Sequence, residues 1–470
     1  MMSDAIYKVT NPLTGEVEET FPTASDEQVK AALEAAYEAR ASWRATPLEE
    51  KVAVMNRVAD LYDARQDELA RIIGVEMGKP SSHATGEVWL AGDIHRFNAK
   101  HAAEALTDVE LDLGERDGRA FMRKEPIGVI VGVMPWNYPY YQVARFAAPN
   151  LLLGNTILLK HAPQCPRSAA VIEEIYSEAG VPEGVYTNLY ATNEQIASLI
   201  EDPRVQGVSL TGSERAGSAV GENAGRNLKK AVLELGGSDP FIVLPDADLE
   251  KAVADGVSGR FENSGQACNA AKRFIVIGDE AYDSFVSRFS EAVEALVMGD
   301  PADEKTDVGP LVNEDAAQGI QSQIDDAVQA GARVITGGTR PDHAGSFVTP
   351  TVLTDVTPEM RAWSEEIFGP VAVVYKAKDE ADAVRIANDT LFGLGASVHS
   401  ASVDAAMRVA DQLESGMVSI NEPPGSSSEL PFGGVKRSGF GRELGTYGFE
   451  EFSNHRMIRI AGDKAAASSE

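Results

Sequence analysis

Cysteine is scarce in this chain: Cys165 and Cys268 are the two among 470 residues. Two thiols cannot build a disulfide framework, which favours a reducing compartment. The first residues lack the basic and apolar regions of a signal peptide, and no apolar run approaches the length of a membrane span. These absences predict a cytoplasmic protein that makes no membrane contact.

Basic residues are also few. The chain has 42 Lys and Arg against 72 Asp and Glu, which gives a formal net charge of -30. No acidic tail accounts for this excess, so it must be spread over the folded surface. Such a field repels nucleic acid and anionic membranes, and it suits solubility where salt screens the self-repulsion. We therefore expect no nucleic-acid partner, and we hypothesise a halophile-like surface and a high-salt cytoplasm.

Short apolar runs that alternate with helix-length segments dominate the rest of the chain. A first series occupies residues 127–133, 157–160, 185–190, 205–210 and 231–235, and a second occupies 241–244, 274–277, 371–375 and 417–420. This alternation predicts two doubly wound α/β domains, each with an open, mostly parallel sheet. Near the N-terminus, Ser25 with Gln28 and Thr46 with Glu49 match capping boxes. Residues 118–124 and 450–460 fit neither domain, and we expect strands that pair with each other or with another subunit.

Two common signals of function are missing. No Gly-x-Gly-x-x-Gly turn follows any predicted strand, and the seven histidines form no recognisable metal-ligand cluster. What stands after the strand ending at Leu210 is the turn Thr211-Gly212-Ser213, whose backbone N–H groups could bind phosphate at a helix N-terminus. In isolation, an ordinary strand-to-helix turn is the more common explanation.

Four other residues stand where chemistry is possible. Asn137 follows the predicted strand 127–133 and could donate to an oxyanion. Lys160 ends one predicted strand and could contact a ribose or phosphate, and Glu234 ends another, beside two glycines, and could act as a general base. Cys268 lies among small and polar residues and could act as a nucleophile. Each has an ordinary alternative: a satisfied turn residue, a solvated lysine, a surface carboxylate, or a buried structural thiol. Cys165 keeps the structural interpretation.

The order and spacing of six short motifs favour the chemical interpretation. The motifs are Pro135-Trp136-Asn137, Thr211-Gly212-Ser213, Glu234-Leu235-Gly236-Gly237, Gly265-Gln266-Ala267-Cys268, Glu366-Ile367-Phe368-Gly369-Pro370 and Pro431-Phe432-Gly433-Gly434. They resemble the aldehyde dehydrogenase superfamily over nearly the whole chain, and within it the succinate-semialdehyde dehydrogenases.

The resemblance implies a covalent oxidation of an aldehyde to a carboxylic acid without a metal. Cys268 attacks the aldehyde, Asn137 and the Cys268 N–H stabilise the oxyanion, and Glu234 activates the water that hydrolyses the thioester. NAD or NADP takes the hydride. In this family the residues at seven positions bind the cofactor: Trp136, Lys160, Gly212, Ser213, Leu235, Glu366 and Phe368.

The resemblance also bears on the substrate. Arg145 and Ser426 lie where succinate-semialdehyde dehydrogenases bind the substrate carboxylate, for which a guanidinium is suited. Many of those enzymes have a second arginine where this chain has Glu262, which would oppose a carboxylate. Another semialdehyde acid, such as 2-oxoglutarate semialdehyde, or a simple aliphatic aldehyde therefore remains open. A coenzyme-A-acylating dehydrogenase and a non-catalytic binding protein are further alternatives.

Two more positions depart from relatives. Pro163 occupies the position where NAD-preferring members often carry Glu, so the carboxylate that repels a 2′-phosphate is absent and NADP should be tolerated. Ala270 replaces the second cysteine that serves redox regulation in some relatives.

The resemblance further implies a domain division and an oligomer. Residues 1–110 and 127–236 would form the NAD(P)-binding domain, 237–437 the catalytic domain, and 111–126 with 448–462 a β-stranded oligomerisation element, leaving 463–470 as a disordered tail. We expect a homodimer or homotetramer.

Overall fold

The structure is a computed structural model, and it describes residues 6–462. The helices within this range are α1 (Asp26–Ala45), α2 (Leu48–Ala64), α3 (Gln66–Met77), α4 (Ser81–Ala105), α5 (Pro139–Leu153), α6 (Pro166–Glu178), α7 (Asn193–Glu201), α8 (Glu214–Arg226), α9 (Leu249–Phe261), α10 (Asp279–Glu294), α11 (Glu314–Gln329), α12 (Arg361–Ser364), α13 (Glu380–Asn388) and α14 (Val403–Ala410).

The strands within the same range form four sheets. They are β1 (Tyr7–Thr10), β2 (Val17–Phe21), β3 (Val109–Leu111), β4 (Arg119–Pro126), β5 (Val129–Val133), β6 (Thr156–Lys160), β7 (Tyr186–Asn188), β8 (Val205–Thr211), β9 (Lys230–Glu234), β10 (Asp239–Val243), β11 (Ala271–Ile277), β12 (Arg333–Thr336), β13 (Thr351–Thr354), β14 (Val371–Ala377), β15 (Ser397–His399), β16 (Ser419–Ile420), β17 (Gly439–Phe440) and β18 (Ser453–Ile460).

The first large sheet has six strands in the order β17-β9-β8-β5-β6-β7. All pair in parallel except β17, which lies antiparallel to β9. Successive residues of β5 enter different cores: Ile130 packs with α2, α4 and α5, whereas Val129 and Val131 pack with α1 and α7. Helices therefore cover both faces, as a parallel sheet requires.

The second large sheet has seven strands in the order β12-β13-β14-β11-β10-β15-β16. It is parallel apart from β12, which is antiparallel to β13. Its strands also alternate between two cores, with Ile242 and Ile275 on one face and Phe241 and Phe274 on the other. The doubly wound α/β prediction is confirmed for both sheets.

The two large sheets are joined by a very short connection. The chain leaves the carboxyl end of β9 at Glu234 and enters the amino end of β10 at Asp239. The carboxyl edge of the first sheet therefore meets the amino edge of the second. Because parallel sheets bind ligands beyond their carboxyl ends, this junction is where a site is expected.

A third, antiparallel sheet has the order β18-β4-β3. β4 pairs with β18 over its whole length, from Arg119 opposite Ile460 to Pro126 opposite Ser453. The prediction that residues 118–124 and 450–460 form strands that pair with each other is therefore confirmed. A small hairpin of β1 and β2 makes the fourth sheet.

The finer predictions had mixed outcomes. The Ser25 capping box is confirmed, since Ser25 and Gln28 each accept the other's backbone N–H. The Thr46 capping box is wrong, because Thr46 is the C-cap of α1 and its hydroxyl donates to the Ser42 carbonyl at 3.0 Å. Pro47 precedes α2 and offers no side-chain cap. The predicted disordered tail, 463–470, lies outside the described residues.

Candidate active site

A cleft of about 450 Å³ opens where the two large sheets meet. It is bounded by the start of α4, the start of α5, the end of α9 and the loops that follow β16 and precede β11. Its chemically relevant lining residues are His83, Glu87, Tyr138, Tyr141, Gln142, Glu262, Cys268, Asn269 and Ser426.

The nucleophile loop, residues 262–270, has an unusual backbone. Asn263 and Ser264 have φ of 51° and 56°, and Gly265 follows with φ of 72°. Left-handed conformations are uncommon for residues other than glycine, and a run of them persists only where the surroundings impose it. A Cβ at Gly265 would lie 2.4 Å from the Gly369 carbonyl oxygen, so glycine is required there. The result is a tight turn that leads directly to Cys268.

Long-range hydrogen bonds hold this loop in place. The Asn263 side-chain amide donates to the Asn137 carbonyl at 2.9 Å. The Ser264 hydroxyl donates to the Gly309 carbonyl at 3.0 Å, and the Gln266 side-chain oxygen accepts the Val312 N–H at 3.0 Å. These partners come from two distant parts of the chain, which fixes the thiol relative to both sheets.

Cys268 is half-buried at the base of the cleft. Burial raises the pKa of its thiol to about 11, and the Arg145 and Lys272 cations act in the opposite direction. Cys165, in contrast, is fully buried, and burial raises its pKa well above the usual range. The structural interpretation of Cys165 agrees with this environment.

Asn137 lies just before α5 and is 4% exposed. Its Nδ2 donates to the Gln266 carbonyl at 3.0 Å, and its Oδ1 accepts from Gln142 Nε2 at 3.1 Å. Gln142 thereby sets the orientation of the amide so that its N–H groups point towards the nucleophile loop. An amide with this orientation is a suitable donor to an oxyanion formed at Cys268.

Glu234 lies at the carboxyl end of β9 and is 1% exposed. Within residues 6–462, neither of its carboxylate oxygens has a hydrogen-bond partner. Burial raises its pKa well above the usual range, while the Arg145 cation lowers it and Glu443 raises it further. A buried carboxyl with a raised pKa has the properties of a general base that works near neutral pH.

Arg145 lies on α5 directly behind the cleft lining. It forms a buried ion pair with Glu443 and donates to the Thr211 hydroxyl at 3.1 Å and to the Tyr141 hydroxyl at 3.3 Å. Its guanidinium also lies 4.6 Å from the centre of the Phe432 ring. Tyr141 and Phe432 line the cleft, and Arg145 itself does not.

Ser426 and Glu262 lie at the cleft. Ser426 is half-buried in its lining, and Glu262 is exposed. The Glu262 carboxylate accepts from the Tyr138 hydroxyl at 3.4 Å. Glu262 thus places a negative charge beside the cleft, as its sequence position suggested.

The predicted cofactor residues surround the same junction on the side of β8 and β9. Ser213 is the N-cap of α8, and its hydroxyl accepts the Ala216 N–H at 3.3 Å. Leu235 packs so closely on α8 that a Cβ at Gly217 would lie 2.6 Å from it. The Gly212 N–H donates to the Glu234 carbonyl at 3.0 Å, which joins this turn to the end of β9.

Four further cofactor candidates have defined surroundings. The rings of Trp136 and Phe368 meet edge to face with centroids 5.7 Å apart. Lys160 ends β6, is 7% exposed, and has its pKa lowered by burial to about 8. Glu366 accepts the Gly237 N–H at 3.1 Å, and its carboxylate lies 2.2 Å from where a Cβ on Gly236 would be.

Several residues of the site were not predicted. Gln142 orients Asn137, Glu443 pairs with Arg145, and Lys272 contacts the backbone of the nucleophile loop. Glu87 accepts the N–H groups of Tyr140 and Tyr141 in the first turn of α5. The only local signal was for Lys272, a lysine four residues beyond the thiol at the start of a buried strand.

Within residues 6–462, no three side chains of His, Cys, Asp or Glu converge as a metal site would require. No helix in that range is long and apolar enough to cross a bilayer.

Known proteins match this chain over nearly its whole length. The aldehyde dehydrogenase family model matches residues 2–458. The chain is 52% identical over 453 residues to a succinate-semialdehyde dehydrogenase [NADP(+)] of Deinococcus radiodurans, covering 96% of this chain and 94% of the relative.

Solved structures are equally similar in fold. The succinic semialdehyde dehydrogenase of Streptococcus pyogenes in complex with NADP+ superposes with a TM-score of 0.95 at 42% identity, covering 97% of this chain and 100% of that chain. An aldehyde dehydrogenase of Bacillus cereus in complex with NAD+ gives a TM-score of 0.93 at 31% identity, covering 97% and 93%. The resemblance seen in the six motifs is confirmed, and the chain belongs to the aldehyde dehydrogenase family.

Proposed function

We propose that this protein oxidises succinate semialdehyde to succinate, with NADP+ or NAD+ as the hydride acceptor. One observation supports the proposal: the Asn137 amide donates into the loop that carries Cys268, and the chain is 52% identical to a succinate-semialdehyde dehydrogenase [NADP(+)]. The buried Glu234 carboxyl lies at the end of β9, where the two large sheets are joined. The site residues and their roles below are part of this proposal.

The first step is the attack of Cys268 on the aldehyde carbon. Its thiolate, which the Arg145 and Lys272 cations favour, forms a carbon–sulfur bond and the carbonyl electrons move to oxygen. The Asn137 amide and the Cys268 N–H donate to the resulting oxyanion. A nicotinamide held by the residues described next would supply the hydride acceptor, and loss of hydride from the thiohemiacetal carbon would leave a thioester on Cys268.

The second step is hydrolysis of the thioester. The Glu234 carboxylate takes a proton from water, the hydroxide adds to the thioester carbon, and the Cys268 thiolate leaves as the acid is released. Glu234 can serve as this base because burial keeps its pKa well above the usual carboxyl range. Since a base for water favours hydrolysis, transfer of the acyl group to coenzyme A is the less favoured outcome.

The residues beside the thiol fit a dinucleotide. The N-terminus of α8 presents Ser213 and backbone N–H groups to a phosphate. Lys160 and Glu366 would hold ribose hydroxyls, with Trp136 and Phe368 forming an aromatic wall next to them. Gly236 leaves room for the Glu366 carboxylate. Pro163 adds no negative charge near the Lys160 strand end, which supports the acceptance of NADP+.

The substrate carboxylate would be held through Arg145, Tyr141 and Ser426. The Tyr141 hydroxyl accepts from Arg145 at 3.3 Å and is also hydrogen-bonded to Ser426, so the two hydroxyls form a pair at the cleft. Ser426 offers a second hydroxyl in the same lining. Arg145 would thus act both by its charge and by polarising Tyr141.

A comparison of substrates tests the proposal. The kcat/KM for succinate semialdehyde should exceed that for butanal, which has the same chain length without the carboxylate, by about tenfold or more. Arg145→Ala should remove this preference, and because Arg145 also favours the Cys268 thiolate, it should lower the butanal rate as well, but by a smaller factor. Mass spectrometry should detect free succinate whether or not coenzyme A is present. Equal kcat/KM values for the two aldehydes in the wild type would refute the substrate assignment.

A second candidate function is the oxidation of an uncharged aliphatic aldehyde. Among the described residues, no lysine or arginine lines the cleft, and Glu262 places a carboxylate beside it. Both features favour a neutral substrate. In the same panel this alternative predicts a higher kcat/KM for butanal than for the acid, and a lower rate for Glu262→Lys with neutral aldehydes.

We also propose a homodimer or homotetramer assembled through the sheet β18-β4-β3. This sheet exposes Val109, Leu111 and Met457, the first and last each at 57%. A second copy would cover these apolar side chains.

The division into an NAD(P)-binding domain (1–110 and 127–236), a catalytic domain (237–437) and an oligomerisation element (111–126 and 448–462) belongs to the same proposal. Light scattering that gives a monomer mass would contradict the oligomer.

A further inference from the structure

Lys272 is a buried lysine that contacts the backbone of the nucleophile loop. Its side chain is 3% exposed, at the start of β11. Its Nζ donates to the Ala267 carbonyl at 2.8 Å and to the Cys268 carbonyl at 2.7 Å, and it forms an ion pair with Glu366 Oε1 at 3.1 Å. An ammonium has three N–H donors. All three are therefore used, which holds the group in one position.

The contact with Ala267 also fixes an N–H group. The Ala267 carbonyl and the Cys268 N–H belong to one planar trans peptide, so the direction of the oxygen determines the direction of the N–H. A cation on the carbonyl oxygen also polarises that peptide and strengthens its N–H as a donor. The Cys268 N–H is the backbone donor that the proposed chemistry requires for the oxyanion.

The ion pair extends this control to the other side of the thiol. Glu366 accepts the Gly237 N–H in the connection between β9 and β10, and it is the carboxylate assigned above to a cofactor ribose. The Lys272 ammonium thus contacts both the nucleophile loop and the carboxylate of Glu366, the residue proposed to bind a cofactor ribose. Removing it would leave two carbonyls and a carboxylate without their shared donor.

We infer that Lys272 is a positioning residue that aligns the Cys268 N–H for oxyanion binding and, through its ion pair, connects the nucleophile loop to Glu366. This inference rests on the proposed function. Lys272 touches neither substrate nor the reacting atoms. It acts through the two peptide carbonyls and the carboxylate that it holds.

The electrostatics of the thiol agree with this role. Lys272 lowers the Cys268 pKa, as does Arg145, whereas burial, Glu366 and Asp239 raise it. Asp239 is itself 2% exposed, and burial raises its pKa to about 7 while Lys272 lowers it. The hydroxyls of Tyr138 and Tyr141 also interact with Cys268. Loss of the Lys272 charge should therefore make the thiol harder to ionise.

The variant Lys272→Met tests the inference through a reaction that needs no substrate. The rate of Cys268 alkylation by iodoacetamide is measured against pH in the wild type and the variant. We expect the profile to move to higher pH by on the order of one unit. The kcat with succinate semialdehyde should fall about tenfold or more, and NADP+ should bind more weakly in a fluorescence titration.

Arg273→Met is the matched control. Arg273 is also buried and follows Lys272 directly, but it donates to the Ala387 and Ile386 carbonyls, away from the thiol. It should lose thermal stability like Lys272→Met yet keep the wild-type alkylation profile. A wild-type profile and kcat in Lys272→Met, or the same shift in Arg273→Met, would overturn the inference.

Glu366→Gln keeps the inference testable if Lys272→Met does not fold. It removes the ion pair and leaves the lysine in place, so the alkylation profile should move to lower pH while kcat and NADP+ affinity fall. An unchanged profile would count against the link between Lys272 and Glu366. Because alkylation requires no aldehyde, a wild-type protein that oxidises no semialdehyde would refute the proposed function while the profile still decides the role of Lys272.

Discussion

Replacing Glu234 with glutamine should separate the two halves of the proposed reaction. The substitution keeps the size of the side chain and removes its basicity. Hydride transfer does not require this base, so the variant should still form a thioester on Cys268. Mixing enzyme, cofactor and aldehyde should therefore produce a rapid burst of one NADPH or NADH per active site, followed by very slow turnover.

The expected loss of steady-state rate follows from the surroundings of Glu234. General-base catalysis contributes about 10²–10⁴-fold. Two other carboxyls interact with Glu234. Glu443 is paired with Arg145 and accepts from the Ser209 hydroxyl at 3.1 Å, and Glu451 accepts the Arg442 N–H at 2.7 Å. Because both are already engaged, neither is placed to replace the base, and the loss should be about 10³-fold or more.

The pH dependence provides a second measurement with a defined sign. The active form of Glu234 is ionised, and its pKa is raised by burial. The hydrolysis rate should therefore be maximal at alkaline pH. It should fall as the pH decreases through the pKa of Glu234, which lies well above the usual carboxyl range. In Glu234→Gln this titration should disappear from the slow phase.

Glu76→Gln is a matched control for loss of a buried carboxyl. Glu76 is 1% exposed and accepts the Arg167 N–H at 2.6 Å at the start of α6, away from the cleft. This variant should lose thermal stability and retain both the burst and the turnover. A Glu234→Gln rate within about tenfold of the wild type, or a missing burst, would refute the assignment of Glu234 as the hydrolytic base.

Three other perturbations have distinct expected results. Glu262→Gln should raise kcat/KM for succinate semialdehyde about two- to tenfold at low salt, because it removes a like charge beside the cleft. If the ratio of the kcat/KM values for succinate semialdehyde and butanal stayed the same, Glu262 would not repel the substrate carboxylate. Pro163→Glu should lower kcat/KM with NADP+ relative to NAD+ by about tenfold or more through repulsion of the 2′-phosphate, and equal losses with both cofactors would show that residue 163 does not select between them. Because the net charge is -30, the melting temperature should rise between about 0.1 and about 2 M KCl as the self-repulsion is screened; the same melting temperature at both concentrations would remove the halophile hypothesis.

The sequence was most informative about the large sheets. The runs that became β5 and β6 are buried on both faces and therefore mostly apolar, which makes them easy to recognise. Short strands such as β12 and β15, with four and three residues, were missed because so few residues show no periodicity. Thr46 matched a capping box but ends α1, because a hydroxyl can cap either side of a helix boundary.

The site was only partly accessible from the sequence for a different reason. Motifs located Cys268, Asn137 and Glu234, but the partners that control them are distant in the chain. Arg145 pairs with Glu443, which lies 298 residues later, and no local pattern can reveal such a contact. Only the folded structure reveals that Glu443 pairs with Arg145 and that Arg145 lies behind Tyr141.

The left-handed run at Asn263, Ser264 and Gly265 has a consequence for protein engineering. Each non-glycine residue in this conformation costs roughly 1–3 kcal/mol when its surroundings do not impose it. Here the restraint comes from Asn137, Gly309, Val312 and Gly369, which lie outside the segment. Transplanting residues 261–273 onto another scaffold would therefore carry the thiol without its geometry. The smallest transferable unit is the junction of both sheets.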